Sequence, residues 1–268
     1  MGQGEIYEHI LYRQDGPVAF IEFNRPKVMN ALNAKLIDEM TSAFDAIPSD
    51  VRVLIVRGAG DKAFAAGADL VELEERTIWT ELEYGPRRAL AARLEKGPVI
   101  TVAALNGLAL GGGFELALAC HLRIASDAAE LGLPELRLGL IPGNGGTIRL
   151  PRIVGTSIAL QKLLLSERFS AEEALRLGLV NWVVPAAEFD AEVSRLGEKL
   201  ARLPGVAVRA VLDCVMQSGE LPLGSAIELE HRWFQLCIGS DDRQEGVKAF
   251  KEKRHPLFHG KDKDEAAE

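Results

Sequence analysis

Hydrophobic positions alternate with polar ones, or run unbroken, in short blocks through the first two-thirds of the chain, and they return at helical spacing in the last third. Ile6–Arg13 and Val18–Asn24, with alternation in VAFIEF and a turn signal at Asp15-Gly16, predict two paired strands. Leu36, Ile37, Met40 and Phe44 recur at helical spacing and predict a helix over Ala34–Ile47, with Asn33 as its cap. Val51–Gly58 predicts a buried strand, followed by a small-residue loop from Gly60 to Asp69. Ile78–Lys96 reads as a long amphipathic helix interrupted at Gly85-Pro86, and Val99–Leu105 as a second buried strand. Beyond it the pattern predicts helices over Gly155–Ser166 and Ala171–Leu177, and a strand over Leu179–Val184. Four further helices follow: Ala187–Leu203, Gly205–Gln217, Pro222–Ile238 and Asp242–Glu252. The expected organisation is an α/β part over residues 1–185 and a helical part over 186–268, ending in the charged, solvated tail KDKDEAAE.

The stretch Val99–Leu150 carries the candidate chemistry. A buried strand breaks at Asn106-Gly107 and passes through Gly111-Gly112-Gly113 into a helix predicted over Phe114–Cys120. Glycines between a strand and a helix start allow close approach of the backbone to a ligand, with unpaired N–H groups facing it. Two carboxylates lie in otherwise apolar surroundings: Glu115 in the first helical turn and Glu135 between Leu133, Pro134 and Leu136. Strand, small-residue loop and helix occur twice, as VRVLIVRG…FAAGADL and VITVAAL…LGGGFEL, so amides from distant parts of the chain can meet. Backbone donors beside two carboxylates suit proton transfer next to a carbonyl. The helix start favours an ionised Glu115, whereas desolvation favours a protonated Glu135.

Composition narrows the partners. A hydrophobic content of 47% with 26% charged residues is that of an ordinary globular chain. The formal charge of −8 argues against a general nucleic-acid binder. Cys120, Cys214 and Cys237 are widely spaced and form no CxxC pair, which suits a reducing compartment and an expected cytoplasmic location. No apolar run is long enough to span a membrane, and Met1–Tyr12 lacks a leader pattern. The histidines form no ligand-like cluster, so no metal is expected. The loop Pro142–Gly146 lacks the Lys-Ser/Thr ending of a phosphate-binding P-loop.

FAAGADL (64–70), NGLALGGGFELALAC (106–120), LGLPELRLGLIPGNGG (131–146), LRLGLVNWVVP (175–185) and DDRQEGVKAFKEKRHPLF (241–258) together resemble the enoyl-CoA hydratase family of the crotonase superfamily. The resemblance covers nearly the whole chain and implies an α/β spiral of ββα units with a C-terminal helical trimerisation region. It implies reversible hydration of a 2-enoyl-CoA to a 3-hydroxyacyl-CoA, with no cofactor, coenzyme A being part of the substrate. A homotrimer or dimer of trimers follows from it, with no nucleic-acid or membrane partner. It implies an oxyanion hole from the N–H groups of Ala68 and Gly112, and acid–base catalysis by Glu115 on water and Glu135 at C2. It also implies substrate contacts from Ala66, Asp69, Leu70, Val71, Gly111, Pro142 and Gly143, and CoA contacts from Lys27, Phe250 and Lys253.

Departures bear on the acyl group. Val71 stands where some short-chain hydratases carry lysine, and Val28-Met29 replace the common apolar pair. His121 stands where relatives mostly carry aspartate, and a structural role at a strand start is expected for it. A cyclic or dienoyl-CoA substrate, an enoyl-CoA isomerase or a thioester hydrolase are alternatives on the same fold. The glutamate pair speaks against the last two. An RNA-binding relative is the non-enzymatic alternative, and the acidic chain without an RRM or KH signature opposes it.

Overall fold

A computed structural model describes residues 7–83 and 86–258. Ile6, Gly85, His259 and the KDKDEAAE tail, on which sequence expectations also fell, lie outside the described residues. The chain begins with a hairpin of β1 (Ile10–Asp15) and β2 (Val18–Phe23) turning at Gly16, whose φ of +53° suits glycine. Helix α1 (Ala34–Asp45) follows, its first turn closed by the Asn33 side chain accepting from Leu36 N at 2.9 Å. Then come β3 (Val53–Gly58), β4 (Ala63–Ala65), α2 (Leu70–Glu75), α3 (Ile78–Glu83) and α4 (Pro86–Lys96). The predicted helix 78–96 is thus two helices, the expected loop 60–69 contains the strand β4, and α2 follows directly after it.

The pattern of long strand, short strand and helix then repeats. β5 (Ile100–Leu105), β6 (Leu108–Leu110) and α5 (Gly112–Ala119) form one turn, and β7 (Leu122–Ser126) and β8 (Glu130–Gly132) open the next. A 3₁₀ turn at Glu135–Leu138 leads to α6 (Gly146–Val154), α7 (Thr156–Leu165), β9 (Arg168–Ser170), α8 (Ala171–Arg176) and β10 (Trp182–Val184). The last helices are α9 (Phe189–Ala201), α10 (Gly205–Gln217), α11 (Leu223–Ile238) and α12 (Asp241–Glu252).

The long strands form a sheet in the order β1-β2-β3-β5-β7-β10, parallel except for the hairpin, with Ile55 opposite both Phe20 and Val102. The short strands form a second sheet, β4-β6-β8-β9, in which only β9 runs antiparallel to its neighbour. Every residue of β5 is buried, as parallel strands covered on both faces require. Phe23 meets Phe64 edge-on at 5.2 Å, joining a strand of the large sheet to one of the small sheet.

Two buried asparagines tie the turns between the sheets. Asn30 donates to the carbonyls of Ala59 (3.1 Å) and Ala63 (2.8 Å) and accepts from Arg25 N–H (3.0 Å). Asn106 donates to the carbonyls of Gly58 (3.0 Å) and Gly60 (2.6 Å). These bonds supply partners for backbone groups that the strand ladders leave over.

The described residues fall into two units, one ending at Gly197 and the other beginning at Glu198. The first unit includes α9 up to Gly197, where a Cβ would lie 2.9 Å from Ile55 Cδ1 and 3.1 Å from Val18 Cγ1. Within the second unit, α10 and α11 are joined by Trp233 Nε1 donating to Asp213 Oδ2 at 2.7 Å.

Removing the Asn106 amide strands the Gly58 and Gly60 carbonyls. Asn106→Ala is therefore expected to cost roughly 2 kcal/mol, read as an earlier urea midpoint at unchanged slope. An unmoved midpoint would show that water serves both carbonyls equally well.

Candidate active site

The site forms where two loops between the short strands and their helices come side by side. Gly111 stands at φ +51°, ψ −129°, a conformation that demands glycine, and its N–H donates to Gly132 O at 2.9 Å. Gly67, at φ +103°, lies beside it: a Cβ built there would fall 3.9 Å from Gly111 Cα. Gly113 is pressed against β4, since a Cβ there would lie 2.4 Å from Ala65 O. In the 66–69 loop, Leu32 N–H donates to Gly67 O (2.8 Å) and Asp69 N–H to Leu32 O (3.0 Å), forming a bridge that leaves the Ala68 N–H unused. The Gly112 N–H, at the first position of α5, has no helical acceptor either. Neither amide has a hydrogen-bond partner among the described residues.

Both glutamates reach this place. Glu115, in the first turn of α5, is 2% exposed, and its Oε1 accepts from Asn144 N–H (2.7 Å) and Gly146 N–H (2.8 Å). Glu135 projects from the 3₁₀ turn after Pro134, and the missing side chain of Gly111 makes room for it, a Cβ there lying 3.1 Å from Glu135 Oε1. Its other oxygen, Oε2, is buried with no hydrogen-bond partner among the described residues.

The electrostatics follow from these surroundings. Burial pushes Glu135 up to about 7, and the nearby charge of Glu115 adds to the effect. Burial also raises Glu115, against the opposing pull of the Gly146 and Asn144 N–H groups. This corrects the expectation drawn from the helix start: desolvation outweighs it, and the amides of the 144–146 loop are what favour the ionised form.

Ala66, Ala68, Leu70, Gly111, Gly112, Glu115, Glu135 and Gly143 all line one pocket of about 850 Å³. Leu73, Ile78, Leu138, Leu140 and Ile141 give it an aliphatic wall, while Glu74, Arg76, Thr77 and Glu81 give it a polar one. Region 72–90 is expected from the sequence to line the pocket, but with no motif in it the residues of this polar wall are not legible there; the amides that hold Glu115 were missed, although PGNGG signals an irregular loop.

Other expected contacts stand elsewhere. Asp69 does not line the pocket; its carboxylate caps α2 at Val71 N (3.1 Å) and pairs with Arg25 Nη1 (2.8 Å). That bond to Arg25 holds the Asp69 carboxyl below its usual range. Val71 is 73% exposed, Pro142 packs at the loop before α6, and Lys27 is exposed on a 3₁₀ turn; none lines the pocket. Phe250 and Lys253 belong to the second unit, the former 86% exposed and the latter at φ +54° after α12. His121 has a structural position: its Nδ1 accepts from Thr101 N–H at 3.0 Å and its Nε2 lies 3.1 Å from Glu95 O. No group of three potential metal-binding side chains occurs among the described residues.

Known proteins share this sequence and fold throughout their length. The chain is 40% identical over 260 residues to crotonyl-CoA hydratase of Syntrophomonas wolfei, covering 95% of this chain and 99% of that protein. It is 37% identical to short-chain-enoyl-CoA hydratase of Clostridium acetobutylicum, over 92% of this chain and 95% of the relative. An enoyl-CoA hydratase structure from Geobacillus kaustophilus superposes with a TM-score of 0.90 at 43% identity, over 95% of this chain and 99% of that one. A Bacillus anthracis enoyl-CoA hydratase superposes with a TM-score of 0.91 at 37% identity, over 95% and 100%. The family model described as enoyl-CoA hydratase/isomerase matches residues 13–261, and the chain belongs to that family, within the crotonase superfamily.

Proposed function

We propose that this protein is an enoyl-CoA hydratase that adds water reversibly across the double bond of a short-chain 2-enoyl-CoA, giving a 3-hydroxyacyl-CoA. The observation that carries the reading is the convergence of Glu115, Glu135, Ala68 and Gly112 on one pocket. Attack of water at C3 drives electrons through C2 onto the thioester oxygen. The N–H groups of Ala68 and Gly112 receive that oxygen, each such donor contributing roughly 3–4 kcal/mol to the transition state. Glu115, ionised with the help of Asn144 and Gly146, takes the proton of the attacking water. Glu135, whose raised pKa keeps its proton near neutral pH, delivers it to C2. The reaction moves no electrons to a carrier, so coenzyme A enters only as part of the substrate and no cofactor is required. The two glutamates are the feature that favours hydration over isomerisation or thioester hydrolysis.

The same reading includes contacts to coenzyme A from Lys27, Phe250 and Lys253, and to the acyl group from the 66–71 and 142–143 loops. It includes assembly as a homotrimer or a dimer of trimers through the helical C-terminal part. Supporting this, Leu223, Phe234 and Leu236 on α11 are left more than half exposed. A cytoplasmic setting is supported by the free state of Cys120, Cys214 and Cys237. Among the described residues no helix is long and apolar enough to cross a membrane.

Loss of the conjugated-thioester absorbance of crotonyl-CoA tests the reaction. Glu115→Gln and Glu135→Gln are each expected to slow it by roughly 10²–10⁴-fold with folding unchanged. Wild-type turnover by either variant would remove that glutamate from the mechanism.

The pH profile has a definite sign. Hydration needs Glu135 protonated and Glu115 ionised, so kcat/KM is expected to fall as pH rises through about 7 and to fall again at acid pH. Hydration and dehydration both use the singly protonated pair, so both directions share these limbs. An alkaline limb that persists in Glu135→Gln would assign it to another group.

A further inference from the structure

The loop that holds Glu115 is itself gripped from behind. Asn144 gives its N–H to Glu115 Oε1 at 2.7 Å, and its C=O accepts from Arg149 Nη1 at 2.9 Å. Arg149 is fixed in turn by Glu95 in the last turn of α4, with Nη2 to Oε2 at 2.8 Å and Nε to Oε1 at 3.4 Å. The fit tolerates no side chain at Gly145, where a Cβ would fall 2.2 Å from Arg149 Nη1 and φ is +100°. At Gly146 a Cβ would lie 3.1 Å from Glu115 Cγ and 2.9 Å from Pro142 Cβ. Both partners of the ion pair are mostly buried, with side-chain exposures of 20% for Arg149 and 22% for Glu95.

We propose that the Glu95–Arg149 pair is a positioning device for Glu115, clamping the Asn144–Gly146 loop so that its two N–H groups stay on the carboxylate. The proposal rests on the reading of Glu115 as the general base. A planar guanidinium suits the task, since Nε and Nη2 bind the Glu95 carboxylate while Nη1, the third nitrogen, donates to the peptide carbonyl of Asn144. The pair is neutral as a whole, so it acts on Glu115 through the peptide of Asn144 rather than through net charge.

The other charged groups around α5 leave room for this effect to be read. On α4, Arg93 is bound to Asp45 at 2.7 Å, and Lys96 ends the helix. On α6, Arg152 accompanies Arg149, and Glu135 faces the pocket from the 3₁₀ turn. At the far end of α5, Arg123 donates to the carbonyls of Ala117 (3.3 Å) and Cys120 (2.5 Å). None of these is altered by substitutions in the clamp.

The test is the acid limb of the kcat profile on crotonyl-CoA, measured on the intact protein. With the clamp gone the amides drift from Glu115, burial is left less opposed, and the carboxyl holds its proton to higher pH. In Arg149→Met the acid limb is expected to move up by about one pH unit, a loss of about tenfold in kcat below the limb, with KM little changed. Glu95→Gln is expected to move it the same way by less. The double variant is expected to add nothing beyond Arg149→Met, because both act on one contact. Arg149→Lys, which keeps the charge and a donor, is expected to recover part of the shift. An acid limb at its wild-type position in Glu95→Gln and Arg149→Met, whatever the overall loss, would overturn the positioning role. If Arg149→Met fails to fold, the unmoved or shifted limb of Glu95→Gln decides alone. A wild-type acid limb that survives in Glu115→Gln would instead reject Glu115 as the base.

Discussion

Backbone packed against backbone, with no side chain between, is the constraint on which this site depends. Gly113 sits so close to β4 that a methyl group there would collide with the Ala65 carbonyl, while Gly67, held at φ +103°, lies in van der Waals contact with the Leu110–Gly111 backbone. These contacts set the two loops side by side, with the amides of Ala68 and Gly112 unused among the described residues. The large sheet supplies the frame for this. β3 and β5 are hydrogen-bonded neighbours, so the short strands that follow them, β4 and β6, are neighbours as well, and the loops beyond them must meet. Residues more than 40 apart in the chain are thereby brought into one wall of the pocket.

The two carboxylates are handled differently by the same burial. Both lose water and both rise above the ordinary carboxylate value. Glu115 is given two backbone donors and Glu135 is left with a buried oxygen lacking any among the described residues. A proton shared by the pair therefore belongs more readily on Glu135, which is the arrangement hydration needs. An unmatched buried oxygen costs stability, and protonation of the carboxyl lessens that cost.

Much of this was readable in advance, and the reasons for the exceptions are local. Long periodic segments such as Leu36–Phe44 and Gly205–Gln217 announce their helices because packing on one face imposes the spacing. The second sheet left no trace, since β4, β6, β8 and β9 have three residues each and three residues show no period. Glu115, Glu135 and the two glycine loops were found because they fall inside distinctive motifs. The partners of Glu115 were not, because backbone N–H groups carry no residue identity, and Arg149 reaches it only through one of them. The ionisation expected from the helix start likewise missed the depth of burial, which only the folded chain reveals.

The central claim is that a thioester oxygen meets the Ala68 and Gly112 amides. The most direct measurement is the carbonyl stretching frequency of a ¹³C-labelled aromatic enoyl-CoA bound to the Glu115→Gln protein, where turnover is blocked. Two aligned donors polarise the carbonyl, so the account predicts a band at clearly lower frequency than for the same thioester in water, with a red-shifted absorbance to match. A bound thioester whose carbonyl band stays at its aqueous position would mean that the oxygen does not lie between those amides, and would contradict the account.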